Sequence, residues 1–258
     1  MRHKIDLRQN SELLYLLVLK DLKVRYKSSF LGYVWALANP FVFAFVYWIA
    51  FKFVMRVQME NYSLFLIAGL FPWLWLSAGV TQATRVFQTN RSLVIKVNLN
   101  RAVLPMSIVV GEMVHFLFAL PAIILFLALA GGKYLHWAWL WQIPLLIAVQ
   151  VLFSFPLALI FAIANVFVHD VEYLVGIGFS ILFFATPMVY PISMVPPEYQ
   201  PYFAANPLHA VVDSWRSVFL EGVLQLPHLA YCLAWGIGFS LIAYFLCRRF
   251  IHRLGELL

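Results

Sequence analysis

The chain predicts an all-α membrane protein: six transmembrane helices, an N-terminal amphipathic interface helix, and short re-entrant or interfacial outer helices between spans five and six. Composition is the first reason. Of 258 residues, 64% are hydrophobic and 11% charged, against roughly 25% charged in an ordinary soluble domain, so the inventory cannot build a water-facing surface. Span length is the second, because a helix needs about 20 mainly apolar residues to cross a ~30 Å hydrocarbon core with every backbone group satisfied internally. Six stretches qualify, at Tyr33–Val54, Ser63–Phe87, Leu104–Ala130, Leu140–Val168, Val171–Tyr190 and His228–Cys247. Charge placement is the third. Seven of the Lys and Arg residues precede span one, four sit at or between spans two and three, and three follow span six; only Lys52, Arg56, Lys133 and Arg216 fall on the other side. This bias predicts cytoplasmic termini, giving an interface helix over residues 1–30 and a six-span domain over 31–258.

The first 27 residues carry too many cations for a cleavable signal peptide, so insertion is expected to rely on span one. Within them, Asn10 and Ser11 are expected to cap a helix with Tyr15, Val18, Leu19, Leu22 and Tyr26 on one face and Lys20, Lys23 and Lys27 on another. The plain reading is an anchor on the cytoplasmic leaflet; the functional one is guidance of a phosphate-bearing lipid. The net charge of +7 follows from topology and attraction to anionic headgroups. Nucleic acid is not expected as a partner, since a soluble basic surface is missing.

Span one carries Phe41, Phe43, Phe45, Tyr47, Trp48, Phe51 and Phe53, and span two opens with Phe71, Trp73 and Trp75. Interfacial aromatic belts explain part of this. Rings spread through the depth of a helix also suit a path along which sugars stack.

The segment 89–105 is the one sizeable cytoplasmic connection between spans. It mixes Arg91, Lys96 and Arg101 with Leu93, Val94, Ile95, Val97 and Leu99, apolar residues that a free loop does not need. A short helix docking into a partner's groove accounts for them, as does a loop resting on lipid headgroups. Spans four and five are joined by Val168-His-Asp-Val-Glu172, short enough to make them antiparallel neighbours. There Asp170 either caps a helix start or meets a cation on a partner. Glu112, with His115 one turn on, is an ionisable residue at membrane depth and should face protein or water; an interhelix hydrogen bond and a proton relay both remain open. The outer segment 191–227 holds an amphipathic stretch, Leu208–Leu220, too short to span, which suits either a gate at the outer mouth or a membrane-surface brace.

No phosphate-cradling G-x-x-x-x-G-K-[ST] loop, H-E-x-x-H, C-x-x-C or G-x-S-x-G occurs in the sequence. Cys232 and Cys247 are fifteen positions apart on one expected helix, about 22 Å at ~1.5 Å per residue and beyond disulfide reach. The sequence offers no energy-converting site of its own.

Several motifs then fall in register. Arg25-Tyr26, Leu31-Gly32, Trp35 and Pro40 resemble the R-Y-x(n)-L-G-x-x-W-x-x-x-x-P approach to span one in the type-2 ABC exporter permeases that handle O-antigen, capsule and teichoic acid chains. Gly69-Leu-Phe-Pro-Trp73 looks like that family's G-L-x-x-W. Asn90-Arg-Ser-Leu-Val-Ile-Lys96 with Asn100-Arg-Ala-Val-Leu-Pro105 looks like its N-x-x-L-I-x-K…P-R-x-x-L-P loop. His169-Asp170 stands where Arg-Asp is frequent. Thr186-Pro-Met-Val-Tyr-Pro191 resembles the S-P-x-x-Y/F-P close of span five, and Asn206-Pro207 with Arg216 and Gly222 fits the outer N-P…R…G segment. Asn100 and His169 depart from the pattern's frequent Pro and Arg.

The resemblance implies a homodimeric permease in the bacterial inner membrane, working with two copies of a nucleotide-binding subunit that carries ATP and Mg; this chain binds no cofactor. It implies coupling to the ATPase through Asn90, Lys96, Asn100, Arg101, Pro105, His169 and Asp170. In the mechanism expected on that basis, a polyprenyl-pyrophosphate-linked glycan enters sideways near Arg25, Lys27, Arg85 and Arg101, follows Tyr33, Trp35, Phe43, Tyr47, Trp73, Trp75 and Tyr190, and leaves past an outer gate containing Asn206, Pro207 and Arg216. Export of small molecules on the same scaffold and proton-coupled secondary transport are the alternatives.

Overall fold

Helix α1 (Leu7–Tyr26) begins three residues ahead of the expected cap. Asn10 and Ser11 therefore lie inside its first turns, and the Ser11 hydroxyl donates back to the Arg8 carbonyl at 2.9 Å. Only part of the expected apolar face is covered: Val18 and Leu22 are buried, whereas Tyr15 is 63% exposed. The computed structural model describes residues 7–26, 38, 41–42, 45–54, 59, 61–97, 99–129 and 134–250. Much of expected span one, including Tyr33, Trp35 and Phe43, lies outside the described residues, as do Lys27 and the Arg25 side chain. The part of span one that is described ends in a π-helical segment, Ile49–Val54.

From there the order is α2 (Tyr62–Ala83), α3 (Val86–Thr89), α4 (Arg91–Lys96), α5 (Val103–Leu129), α6 (Trp139–Phe167), α7 (Val171–Ala185), α8 (Gln200–Ala204), α9 (Pro207–Glu221) and α10 (Leu226–Phe250). Among the described residues, α2, α5, α6 and α10 are long and apolar enough to cross a membrane, and α7 is a shorter apolar helix. The described residues contain helices and no strands.

The central element is α2, which packs on α5, α6, α7 and α9. It is buried nearly all round, as expected of a uniformly apolar helix at the heart of a bundle. The Trp75 indole stacks on Phe116 at 5.3 Å and donates to the Val109 carbonyl of α5, while Phe116 meets Trp215 of α9 edge-on at 4.9 Å. Such ring pairs add about 0.5–1.5 kcal/mol each beyond area burial. On the other flank α10 runs along α6. Gly236 makes the close approach possible, since a Cβ there would stand 3.3 Å from the Leu152 carbonyl oxygen.

Two expected helices end early. Span two stops at Ala83, bends through Thr84-Arg85 and restarts as α3. Span five, expected to reach Tyr190, stops at Ala185. Thr186 is extended, as the residue before a proline tends to be, and Pro187 has no N–H with which to continue the helix. At ~1.5 Å per residue α7 covers about 22 Å, short of a ~30 Å core, so the helix alone is too short for the crossing expected of span five, and irregular backbone follows it from Thr186.

Candidate functional site

The bend at the end of α2 sets out the face expected to be cytoplasmic. Asn90 closes α3, with its backbone N–H and its side-chain amide both donating to the Val86 carbonyl, and its own carbonyl receives the N–H groups of Leu93 and Val94 to start α4. Val94 is 2% exposed and lies with Phe87, Leu104, Leu159 and Ile163 in a second apolar cluster. One of the apolar residues expected to dock on a partner is therefore used inside the chain. Ile95 and Val97 remain 51% and 47% exposed, flanking the exposed Lys96.

Beyond them, the Asn100 side-chain oxygen accepts the Ala102 N–H at 3.2 Å and its carbonyl accepts that of Val103, which fixes the entrance to α5. An asparagine forms this turn through its side chain, which gives a local reason for Asn100 where the pattern often has proline. Arg101 is half-buried, and burial lowers its pKa from the ordinary arginine value. Pro105 is buried in the first turn of α5, where a missing N–H has no consequence.

The turn before α7 lies beside this hairpin. Asp170 occupies the cap position but its side chain makes no capping bond. Asn165, near the end of α6, fills that role: its side-chain oxygen accepts the Glu172 N–H at 3.1 Å, and its backbone carbonyl accepts from the Gln88 amide of α3 at 3.0 Å. Glu172 in turn pairs with Arg85 at 3.3 Å. His169 and Asp170 are left exposed at the tip of the turn. Arg85, expected to meet a pyrophosphate, is thus engaged by a carboxylate, and the groove of about 570 Å³ that it borders between α2 and α7 carries one charge of each sign. Glu172 stood out in the sequence only as part of the connecting turn, and Gln88 and Asn165 went unremarked; the available signal for them was an amide near the end of each of two largely apolar spans.

At the opposite end, Arg216 of α9 is buried. Its guanidinium donates to the carbonyls of Pro187 and Met188, both at 2.6 Å, and of Phe65 at 3.3 Å, and it lies 3.7 Å from the centre of the Phe65 ring. The Tyr62 hydroxyl donates to the Val189 carbonyl at 2.7 Å. Asn206 caps α9 by accepting from Leu208 N–H, and its amide reaches the Thr186 hydroxyl at 3.0 Å. Pro207 stands at the first position of α9, where its missing donor costs nothing. The irregular backbone after α7 is in this way supplied with donors from α2 and α9, the condition for non-helical backbone within a membrane protein's interior. Gly69 allows it, because a Cβ there would come within 2.8 Å of Arg216 Nε. The motif pieces Gly69, Thr186–Tyr190, Asn206 and Arg216 meet in space as one clamp.

The expected aromatic path is only partly exposed. Trp73 and Trp75 are buried at 4% and 2% exposure, the former edge-on to Phe179 and Phe183. Tyr47 is half-buried against Phe183, and the half-buried Tyr190 donates to the Phe184 carbonyl. Glu112 accepts a hydrogen bond from Gln82 at 2.8 Å, an interhelix contact between α5 and α2. No group of three or more His, Cys, Asp or Glu able to hold a metal ion occurs among the described residues.

Residues 12–220 match the ABC-2 type transporter family. A protein named O-antigen export system permease protein RfbA, from Klebsiella pneumoniae, is 38% identical over 258 residues, covering 100% of this chain and 99% of the relative. One of the same name from Myxococcus xanthus is 34% identical over 218 residues, 84% of this chain and 83% of the relative. Polysialic acid transport protein KpsM from Escherichia coli is 23% identical over 214 residues, 81% of each. With several membrane-length apolar helices and similarity that runs the length of the permeases, the chain is a multi-pass integral membrane protein belonging to the ABC-2 type transporter family.

Proposed function

We propose that this chain is the permease subunit of an exporter that moves an O-antigen-type polysaccharide, carried on polyprenyl pyrophosphate, from the cytoplasmic leaflet outward. The observation that carries this reading is the 38% identity, end to end, to a relative named as an O-antigen export permease. Two copies of the chain work with two copies of a separate nucleotide-binding subunit, which holds ATP and Mg and hydrolyses the nucleotide. The complex sits in the inner membrane with both permease termini in the cytoplasm.

The exposed Ile95, Lys96 and Val97 of the hairpin and the exposed His169 and Asp170 of the adjacent turn form the surface that seats the ATPase. An apolar patch ringed by charge suits a groove in a soluble partner. Asn90, Asn100 and Pro105 shape this surface from within, and Arg101 borders it. Cations at the cytoplasmic boundary, Arg25, Lys27 and Arg101, draw the pyrophosphate; Arg85 joins them only when Glu172 releases it. The glycan then follows the aromatic residues of span one and Tyr190, with the buried Trp73 and Trp75 of span two packed behind that path instead of lining it, and α9, anchored by Asn206, Pro207 and Arg216, gates the exit.

The test is reconstitution of the permease with its ATPase in vesicles containing a defined lipid-linked glycan. The glycan should cross only with both subunits and hydrolysable ATP present, and charge reversal at Lys96 and Arg101 should reduce ATPase association. Glycan transfer by the permease alone, without nucleotide, would overturn the proposal.

A further inference from the structure

The two elements assigned to ATPase contact are far apart in sequence yet joined on the structure by a short chain of polar bonds. Gln88 of α3 donates to the Asn165 backbone carbonyl at 3.0 Å, and the Asn165 side chain accepts the Glu172 N–H at 3.1 Å. Arg85, at the bend into α3, closes the loop through Glu172 at 3.3 Å. These bonds differ in weight. The Arg85 and Glu172 side chains are 60% and 27% exposed, so solvent screens their attraction. Asn165 is 2% exposed, and a buried amide that loses its partner has no water to replace it. Beneath it, Phe87 and Val94 of the hairpin lie in one apolar cluster with Leu159, Ile163 and Val166 of α6.

We infer that Asn165 is a positioning residue that locks the 86–97 hairpin to the start of α7, so that the two cytoplasmic contact elements move as one body. The inference rests on the coupling role proposed above for what that body does, but not for its existence. Its use follows from how α7 is held. Towards its outer end Phe179 and Phe183 pack on Trp73, and at its inner end it is bound through Glu172. Between these holds lies the open groove lined by Thr81, Gly176, Ile177 and Ser180. A displacement of the hairpin would therefore reach α7 through Asn165 at its inner tip, and the irregular backbone that follows α7 is gripped by Arg216 of α9.

Two substitutions cut separate bonds. Asn165→Ala removes the tie to α7 and leaves the carbonyl that serves Gln88, whereas Gln88→Met removes the tie to α3 and leaves the turn before α7 intact. In the reconstituted complex each should keep nucleotide hydrolysis within about twofold of the parent while glycan exported per ATP falls about tenfold. Asn165→Asp, whose carboxylate oxygen accepts the same N–H and suits a helix start, should recover most of the loss. Equal falls in hydrolysis and export, or unchanged export per ATP, would overturn the inference.

A second measurement needs only the permease. With Cys232 and Cys247 replaced by Ala, spin labels at the exposed positions Arg91 and Tyr173 should give a narrow distance distribution, broadened at least twofold by Asn165→Ala with Gln88→Met. A distribution of unchanged width would show that the elements are not locked through this residue. That result stands even if the partner proves not to be a polysaccharide ATPase; absence of nucleotide-driven export by the parent complex would count against the proposed function alone.

Discussion

Arg216 carries a charge into the interior with three backbone carbonyls as its acceptors. Its fork geometry matters, because one ammonium cannot serve Phe65 on one side and Pro187 with Met188 on the other as a planar guanidinium does. Arg216→Lys is therefore expected to leave at least one buried carbonyl unpaired, costing about 1–3 kcal/mol, seen as a lower unfolding midpoint in detergent. Gly69→Ala attacks the same clamp from α2: its Cβ would fall within 3.0 Å of Arg216 and Val212 atoms, and overpacking of this kind costs about 1–3 kcal/mol. If the two variants disrupt one contact, the double variant should be less destabilised than their sum. At the far end of α9, Gly222 adopts φ 67°, and a Cβ would lie 2.4 Å from the His136 ring. Gly222→Ala should thus lower the midpoint more than Gly69→Ala, because both backbone and neighbour oppose it.

Within single elements, adjacent residues have opposite duties. Val94 faces the second apolar cluster, with Phe87 and Leu104, and Ile95 faces outward. Val94→Ser should destabilise the protein by about 2 kcal/mol through lost burial and an added hydroxyl. Ile95→Ser should leave the midpoint unchanged but weaken recovery of the ATPase in co-purification about tenfold. Equal effects of the two on the midpoint would remove the distinction. The hairpin's helix was legible from its mixed composition, and α5, α6 and α10 were legible within a few residues because long apolar runs have one solution in lipid. The early end of α7 was less so: Met188 and Val189 read as apolar span, and only the pairing of their carbonyls with distant donors, Arg216 and Tyr62, makes a non-helical path tolerable. For the same reason Asp170 read as either a cap or a contact to a partner's cation, while the capping bond is made by Asn165, an amide whose partner no local pattern reveals.

Across the whole molecule, the uneven distribution of Lys and Arg predicts an orientation that labelling can check. After replacement of Cys232 and Cys247, a membrane-impermeant thiol reagent should modify Tyr202→Cys in intact cells with a permeabilised outer membrane, and Arg91→Cys only after lysis; both positions are exposed. The reverse pattern would invert the proposed topology. The composition made the membrane class plain at once, whereas the joining of Gly69, Thr186, Asn206 and Arg216 into one clamp was not legible, since hydropathy reports depth and not which helices are neighbours. That clamp also bears on how the protein is made. A guanidinium is costly in hydrocarbon until its acceptors surround it, and here they precede Arg216 in the chain by 151, 29 and 28 residues. Synthesis from the N-terminus therefore delivers every acceptor first, and the segment bearing the charge settles into a socket already inserted, which makes its docking a late step in biogenesis.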